Sequence, residues 1–323
     1  MNGGTGTEGA GSAGPRREEA HVTITRSEGL HTLHIGDRGP TVAFCHGVFG
    51  QGKNWTTVAK ALASGDGPTY QSILIDMPNH GRSAWTESFS YHQMADDLAE
   101  FLEPYAPLSL VGHSMGGKAV MNLALRYPHL VDRLVVVDMS PVHYRGIRQF
   151  NHLVNAMVTL DIANLPDRRT AEERISDDVP NPAIRQFLLQ NLHRIQHHNG
   201  GKPKWVWQPN LQLIAGNLDA LAGWEEPNAE PFDGPVLWIG GDQADYVRPE
   251  YNDAMRRWFP RSRLLMLKGV GHWVHSEAPE IFIPAVRRFL DGGRALARPQ
   301  TRSAGVLAPK PRAGGLMAPV SRR

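Results

Sequence analysis

The chain has 323 residues, 41% of them hydrophobic and 20% charged, with a single cysteine and a formal net charge of +2. That composition is ordinary for a soluble globular protein, and the lone Cys45 excludes an internal disulfide framework or a cysteine metal cluster. No apolar run approaches the length of a membrane span, and the Gly-, Thr- and Ser-rich N-terminus carries no hydrophobic signal region, so the expectation is a cytoplasmic protein. The charge is unevenly spread. Residues 292–323 hold six Arg and one Lys with no Asp or Glu. Removing that +7 from the total leaves −5 on the rest, so the basic character belongs to the tail.

Residues 1–20 read as a disordered leader. Residues 21–26 and 30–35 alternate with period two around Ser27, Glu28 and Gly29, which predicts a β-hairpin. Residues 41–45 form a buried strand that includes Cys45 and runs into His46–Gly47–Val48–Phe49–Gly50. Residues 55–63 read as an amphipathic helix. A further strand covers 72–75, and a turn-rich loop follows from Asp76 to Ser83. A helix at 91–101 leads to the strand at 107–111. The elbow Gly112–His113–Ser114–Met115–Gly116 comes next, then a helix over 118–127 that Pro128 stops. Residues 130–137 are a strand ending at Asp138. Strand–helix alternation at these intervals predicts an α/β fold with a mostly parallel sheet covered on both faces.

The alternation lapses over residues 141–232. Helices are expected at 150–160, 181–192 and 211–221, with Trp205–Val206–Trp207 making a short strand or packing as a plug. This region reads as a helical cap inserted into a core of residues 21–140 and 233–292. Phe150, Met157, Phe187, Leu188 and Trp224 could line an acyl pocket or fill the cap interface. The pattern resumes with a strand at 236–239, a helix at 249–259, a strand at 263–267, the turn Lys268–Gly269–Val270–Gly271–His272 and a helix at 279–290. Residues 293–323 are read as a disordered basic tail.

G-x-S-x-G between a strand and a helix is the context of a nucleophile elbow. A serine hydroxyl is a poor nucleophile at neutral pH and needs a positioned base. His272 follows the last strand in a Gly-flanked loop and completes the order serine, acid, histidine. His113, beside the serine, is expected to be directed away by the turn, and His275 to face the cap. Three aspartates remain open as the orienting acid: Asp138, Asp242 and Asp245. An oxyanion hole needs two N–H donors, expected from Met115 and from Val48 in the turn after residues 41–45. Nothing in the chain calls for a metal or cofactor, and His197–His198 read as exposed loop residues.

Together, His46–Gly47–Val48–Phe49–Gly50, Asn79–His80–Gly81–Arg82–Ser83, Gly112–His113–Ser114–Met115–Gly116–Gly117–Lys118, Val137–Asp138–Met139–Ser140–Pro141 and Gly271–His272–Trp273–Val274–His275–Ser276–Glu277 resemble the α/β-hydrolase superfamily, and within it the YbfF-like esterase branch. The resemblance covers residues 30–292. It implies a cofactor-free serine esterase that cleaves short to medium acyl esters or thioesters, with the acid on the strand after the elbow helix, here Asp138. Its partner is then a small acyl ester or thioester rather than a nucleic acid, with the oligomeric state unspecified. The same residues admit a C–C hydrolase, a thioesterase or a perhydrolase of the haloperoxidase kind. A non-catalytic receptor on this fold is a further possibility, although a pure binder has no need of all three triad members.

Overall fold

The computed structural model describes residues 22–26, 29–65, 67–144, 148–195 and 204–292. The expected leader at 1–20, the basic tail at 293–323 and His197–His198 lie outside the described residues. The strands are β1 Val22–Arg26, β2 His31–Ile35, β3 Thr41–Cys45, β4 Gln71–Ile75, β5 Leu108–His113, β6 Val131–Val137, β7 Leu192–Ile195, β8 Lys204–Trp207, β9 Val236–Gly241 and β10 Ser262–Leu267. Eight of them form one sheet in the order β1-β2-β4-β3-β5-β6-β9-β10, and β7 and β8 pair separately. The hairpin β1–β2 and the β2–β4 pair are antiparallel, and every pairing from β4 to β10 is parallel.

The helices are α1 Thr56–Ala63, α2 Tyr91–Leu102, α3 Met115–Arg126, α4 Arg148–Thr159, α5 Arg168–Arg174, α6 Pro182–Leu189, α7 Leu211–Gly216, α8 Leu218–Ala222, α9 Asn252–Trp258, α10 Val274–Glu277 and α11 Pro279–Leu290. Alternate residues of the central strands divide between two apolar clusters, as the period of a strand demands. Val42, Phe44, Val135, Val137, Leu237 and Ile239 pack with Val58 and Leu62 of α1 and with Phe282, Val286 and Leu290 of α11. Ala43, Cys45, Leu134, Val136 and Trp238 pack with α2, α3 and α9 through Leu98, Val120 and Trp258. Both faces are dry, which is why these strands read as continuous apolar runs.

The segment between β6 and β9 departs from the expected helices in three places. The helix expected at 181–192 is α6 alone. Asn181 caps it by accepting from the Ala183 and Ile184 amides, and Leu192 already belongs to β7. Trp205–Val206–Trp207 lie in β8, antiparallel to β7, so the segment holds a hairpin as well as helices. The helix expected at 211–221 breaks at Asn217, whose side chain bonds back to the Leu213 carbonyl at 2.8 Å. Competition of this kind between an Asn side chain and the backbone ends helices.

The register of the parallel strands sets up the site. Cys45 pairs with Gly112, His113 with Val137, and Val137 with Ile239. The next residues, His46, Ser114, Asp138 and Gly240, therefore emerge side by side at the carboxyl edge of the sheet, where the reactive groups of such sheets gather.

Candidate active site

Among the described residues, the non-glycine positions with positive φ are Phe49 (61°), Asn79 (68°), Ser114 (54°) and Asp138 (47°). One follows each of β3, β4, β5 and β6. Strain of this kind persists only where neighbours over-determine it, and it gathers at functional sites. Ser114 is held by its own N–H, which donates to the Val137 carbonyl at 3.1 Å, and by Lys118, whose N–H donates to the Ser114 carbonyl. The flanking glycines have no room for side chains. A Cβ on Gly112 would lie 2.4 Å from the Gly116 carbonyl oxygen, and one on Gly116 would lie 2.5 Å from that of Cys45. The serine thus caps the N-terminus of α3, where the helix dipole favours negative charge.

His272 Nδ1 lies 2.7 Å from Asp138 Oδ2. The second carboxylate oxygen of Asp138 accepts from the Gly241 amide at 3.0 Å, and the Asp138 N–H donates to the Ile239 carbonyl. Burial pushes the His272 imidazole well below its ordinary 6.5, so it stands unprotonated at neutral pH with Nδ1–H on Asp138 and Nε2 free to take a proton. Burial pushes the Asp138 carboxyl upward and the Gly241 N–H opposes that shift. The other two candidate acids are engaged elsewhere. Asp242 Oδ1 accepts from the Gly269 amide at 2.7 Å and from Gln243, and exposed Asp245 pairs with Arg248. The carboxylate on His272 is that of Asp138.

Three further groups fix the His272 loop. Glu277 accepts from the Gly271 and Trp273 amides at 2.7 and 3.1 Å. The Tyr246 ring lies against the imidazole at 4.1 Å between centroids. His113 does not point away. Its Nε2 donates to the His272 carbonyl at 2.9 Å, and its ring lies 4.6 Å from that of His272. His275 turns away from the β6–β9 segment and stacks on Trp55 at 4.2 Å.

Residues 46–51 carry one candidate oxyanion amide, that of Val48, and the start of α3 carries the other, that of Met115. His46 Nδ1 donates to the Gly47 carbonyl at 2.7 Å, a tautomer required by its Nε2, which accepts from the Met77 amide at 2.9 Å. Asp76 accepts from the Gly52 amide at 2.7 Å and from the Arg82 amide at 2.8 Å. Among the described residues, neither the Val48 nor the Met115 amide donates to a protein acceptor. Both residues line the small, mainly apolar cavity that holds Ser114, about 40 Å³ walled by Tyr91, Met139, Phe150 and Leu221. Of the residues expected to line an acyl pocket, Phe150 does so. Phe187 lines the neighbouring groove that contains His272, while Met157 and Leu188 are buried in the core, and Trp224 packs partly buried against it.

Lys118 was not legible as a residue of the site. Lys118 is fully buried behind the cavity and donates to the Ala222 and Gly223 carbonyls. The G-H-S-M-G-G-K run contains it, four residues after the serine and so on the same face of α3. The Cys45 thiol is pushed up to about 12 by burial and packs in the core as expected. Among the described residues, no three His, Cys, Asp or Glu converge as a metal set.

Residues 40–279 match the family model for the alpha/beta hydrolase fold. The sn-1-specific diacylglycerol lipase ABHD11 of Mus musculus is 35% identical over 303 residues, covering 87% of this chain and 95% of that protein. Esterase YbfF of Escherichia coli (strain K12) is 30% identical over 252 residues, covering 77% of this chain and 92% of that one. A solved marine microorganism esterase superposes with a TM-score of 0.76 at 30% identity, over 81% of this chain and 100% of its own.

Proposed function

The chain belongs to the alpha/beta hydrolase fold family and is a carboxylic ester hydrolase, and from that premise we propose an acyl-enzyme mechanism on Ser114 with His272 as base, Asp138 as orienting acid and the Val48 and Met115 amides as oxyanion hole. Ser114 Oγ attacks the ester carbonyl carbon as His272 Nε2 takes its proton. Charge developing on the carbonyl oxygen falls to the two free amides. His272 then gives the proton to the departing alcohol, leaving an acyl-serine. A water molecule attacks that acyl group with His272 again as base, and the carboxylic acid leaves. Asp138 keeps Nδ1 protonated throughout and stabilises the imidazolium as it forms.

The observation that carries this reading is the 2.7 Å contact between His272 Nδ1 and a fully buried Asp138, one strand away from the strained Ser114. A fluorophosphonate probe tests it: the wild type should label and Ser114→Ala should not. Equal labelling of the two would overturn the serine assignment.

Residues 141–232 serve, on this reading, as a cap over a core formed by residues 21–140 and 233–292. The mainly apolar lining of the small cavity beside Ser114 supports an acyl group, and a small one first. The mouse relative's name adds diacylglycerol to the compounds worth offering. A panel of esters, thioesters and acylglycerols of graded acyl length separates these, with p-nitrophenyl esters as reference and C–C and perhydrolysis substrates as counter-tests. No described helix is long and apolar enough to cross a membrane. The single cysteine is buried and free, and we place the enzyme in the cytoplasm.

A further inference from the structure

The strained turn that carries Val48 is gripped from both sides. Gly47 to Gly50 form a β-turn closed by the Gly50 N–H on the Gly47 carbonyl at 2.9 Å. Phe49, its third residue, sits at φ 61°. Positive φ at that position is the type II requirement, which glycine or asparagine normally meets. A phenylalanine there would relax to negative φ unless something outside the turn opposed it. Relaxation would turn over the peptide joining Val48 to Phe49, and the adjacent Val48 N–H would lose its aim.

The core holds the two ends of this loop through His46 and Asp76. The middle is held from the segment between β6 and β9. Asn191, fully buried at the start of β7, donates from Nδ2 to the Phe49 carbonyl at 2.8 Å, while its Oδ1 accepts from Gln51 Nε2 at 2.9 Å. The same Nδ2 reaches the Leu188 carbonyl at 3.2 Å, which ties the amide to the end of α6. The Phe49 ring stacks on Phe150 of α4, with centroids 5.6 Å apart and planes 12° from parallel. A buried amide with its oxygen and both donor directions engaged is a rigid strut.

We propose that Asn191 is a positioning residue for the Val48 oxyanion donor, so that the segment covering the site also helps to stabilise the transition state; this rests on the oxyanion role of Val48 given above. It makes no contact with substrate. Its effect reaches the reaction through the Phe49 carbonyl and the backbone of the turn.

The test uses the full chain with a short p-nitrophenyl ester and a trifluoromethyl ketone, which forms a tetrahedral adduct on the serine. Asn191→Asp keeps the shape and the acceptor for Gln51 but loses the donor to Phe49. Its kcat should fall roughly 30- to 300-fold, below the full loss of an oxyanion donor. KM should stay within about threefold of wild type, because the lost interaction acts in the transition state and not on bound substrate. Affinity for the ketone should weaken by the same factor as kcat/KM, with the acid limb of the pH profile unmoved. The pair Gln51→Leu/Asn191→Leu replaces both buried amides with apolar groups. It should recover the thermal midpoint lost by Asn191→Leu alone while kcat stays low. Recovery of kcat along with stability, or an Asn191→Asp enzyme with wild-type kcat, overturns the proposal. Val48→Pro separates the two layers of the argument, because it deletes the N–H itself. If Val48→Pro keeps full activity, the oxyanion reading fails and this proposal with it. If Val48→Pro is inactive while Asn191→Asp is fully active, only the role of Asn191 fails.

Discussion

The carboxyl edge of the sheet and the segment between β6 and β9 meet at the same cavity, but they are held together in different ways. At the edge, strained residues are tied into the strand ladder itself. Ser114 donates to Val137 and Asp138 to Ile239, so moving either one means breaking a parallel sheet. Among its described residues, the β6–β9 segment adds no strand to that sheet. It is held to the core by apolar packing in a shared cluster and by polar ties between side chains and loops, among them Lys118 to the end of α8, the Tyr91 hydroxyl to the Leu221 carbonyl at 2.7 Å, and Asn191 to the turn after β3. The difference assigns the tasks. On the proposed mechanism, the bond-making groups sit where the backbone is least able to move, and acyl fit falls to side chains that can be exchanged without unfolding the sheet.

The most severe test of that division is removal of an edge residue. Ser114→Ala should lose about five to six orders of magnitude in kcat, since a triad without its nucleophile retains only binding and oxyanion terms. Asp138→Asn should cost about 10⁴-fold by leaving His272 in the wrong tautomer. Asp242→Asn and Asp245→Asn should each cost less than about tenfold, as losses outside the reacting set do. Comparable losses from Asp138→Asn and either of the others, read from steady-state kcat/KM, would break the assignment.

Acid separates the two regions next. His46, His80, His113, His272 and His275 all gather at the edge, and burial lowers the pKa of each. In the unfolded chain they titrate near 6.5. Below that pH the unfolded state takes up protons that the folded histidines refuse, so their contribution to stability is intact above about 6.5 and falls as pH drops toward the folded values. The thermal midpoint should therefore decline steadily from pH 6.5 to 4. Activity should hold at pH 6, because His272 stays unprotonated there, and its acid limb should lie below 6.5. A limb centred at or above 6.5 would contradict the buried, neutral base.

The same contrast explains what could be read before the structure. β3 was legible because a strand buried on both faces is apolar from end to end, β10 because Leu264 to Leu267 form an apolar run even at the half-exposed edge of the sheet, and α11 because Pro279 marks its start. Ser114 and His272 were legible because elbow and loop carry glycines that only close approach explains. The acid was not, since Asp138, Asp242 and Asp245 all follow strands, and only register decides which one meets Nδ1. In the β6–β9 segment, α5 and β7 escaped notice because short amphipathic pieces bury little and leave weak periodicity. Asn191 escaped because a buried asparagine and a surface one look alike until their partners, Phe49 and Gln51, fold in from 140 residues away.

The smallest expected effect tests the ties themselves. Lys118 is fully buried, and its Nζ reaches the Ala222 carbonyl at 2.6 Å and the Gly223 carbonyl, with the Tyr144 ring centroid 4.8 Å away. Tyr91, Tyr144 and Ala222 all line the acyl cavity, so the lysine fixes its far wall. Lys118→Met keeps the length and removes the donor, leaving two carbonyls without a partner. That should cost about 1–3 kcal/mol, or several degrees in thermal midpoint for a chain of this size. Burial brings the Lys118 ammonium down to about 7 from 10.5. Between those values the unfolded chain binds a proton that the folded chain does not, so this residue makes wild-type stability rise with pH from about 7 to 10. Lys118→Met should flatten that slope. Serine labelling should persist in the variant, because the edge is untouched, while the preferred acyl length on a graded ester panel should move upward as the wall loosens. An unchanged acyl preference together with the expected loss of stability would make Lys118 a strut with no part in substrate choice. A loss of labelling would mean that loosening the segment between β6 and β9 also disturbs the edge that holds Ser114.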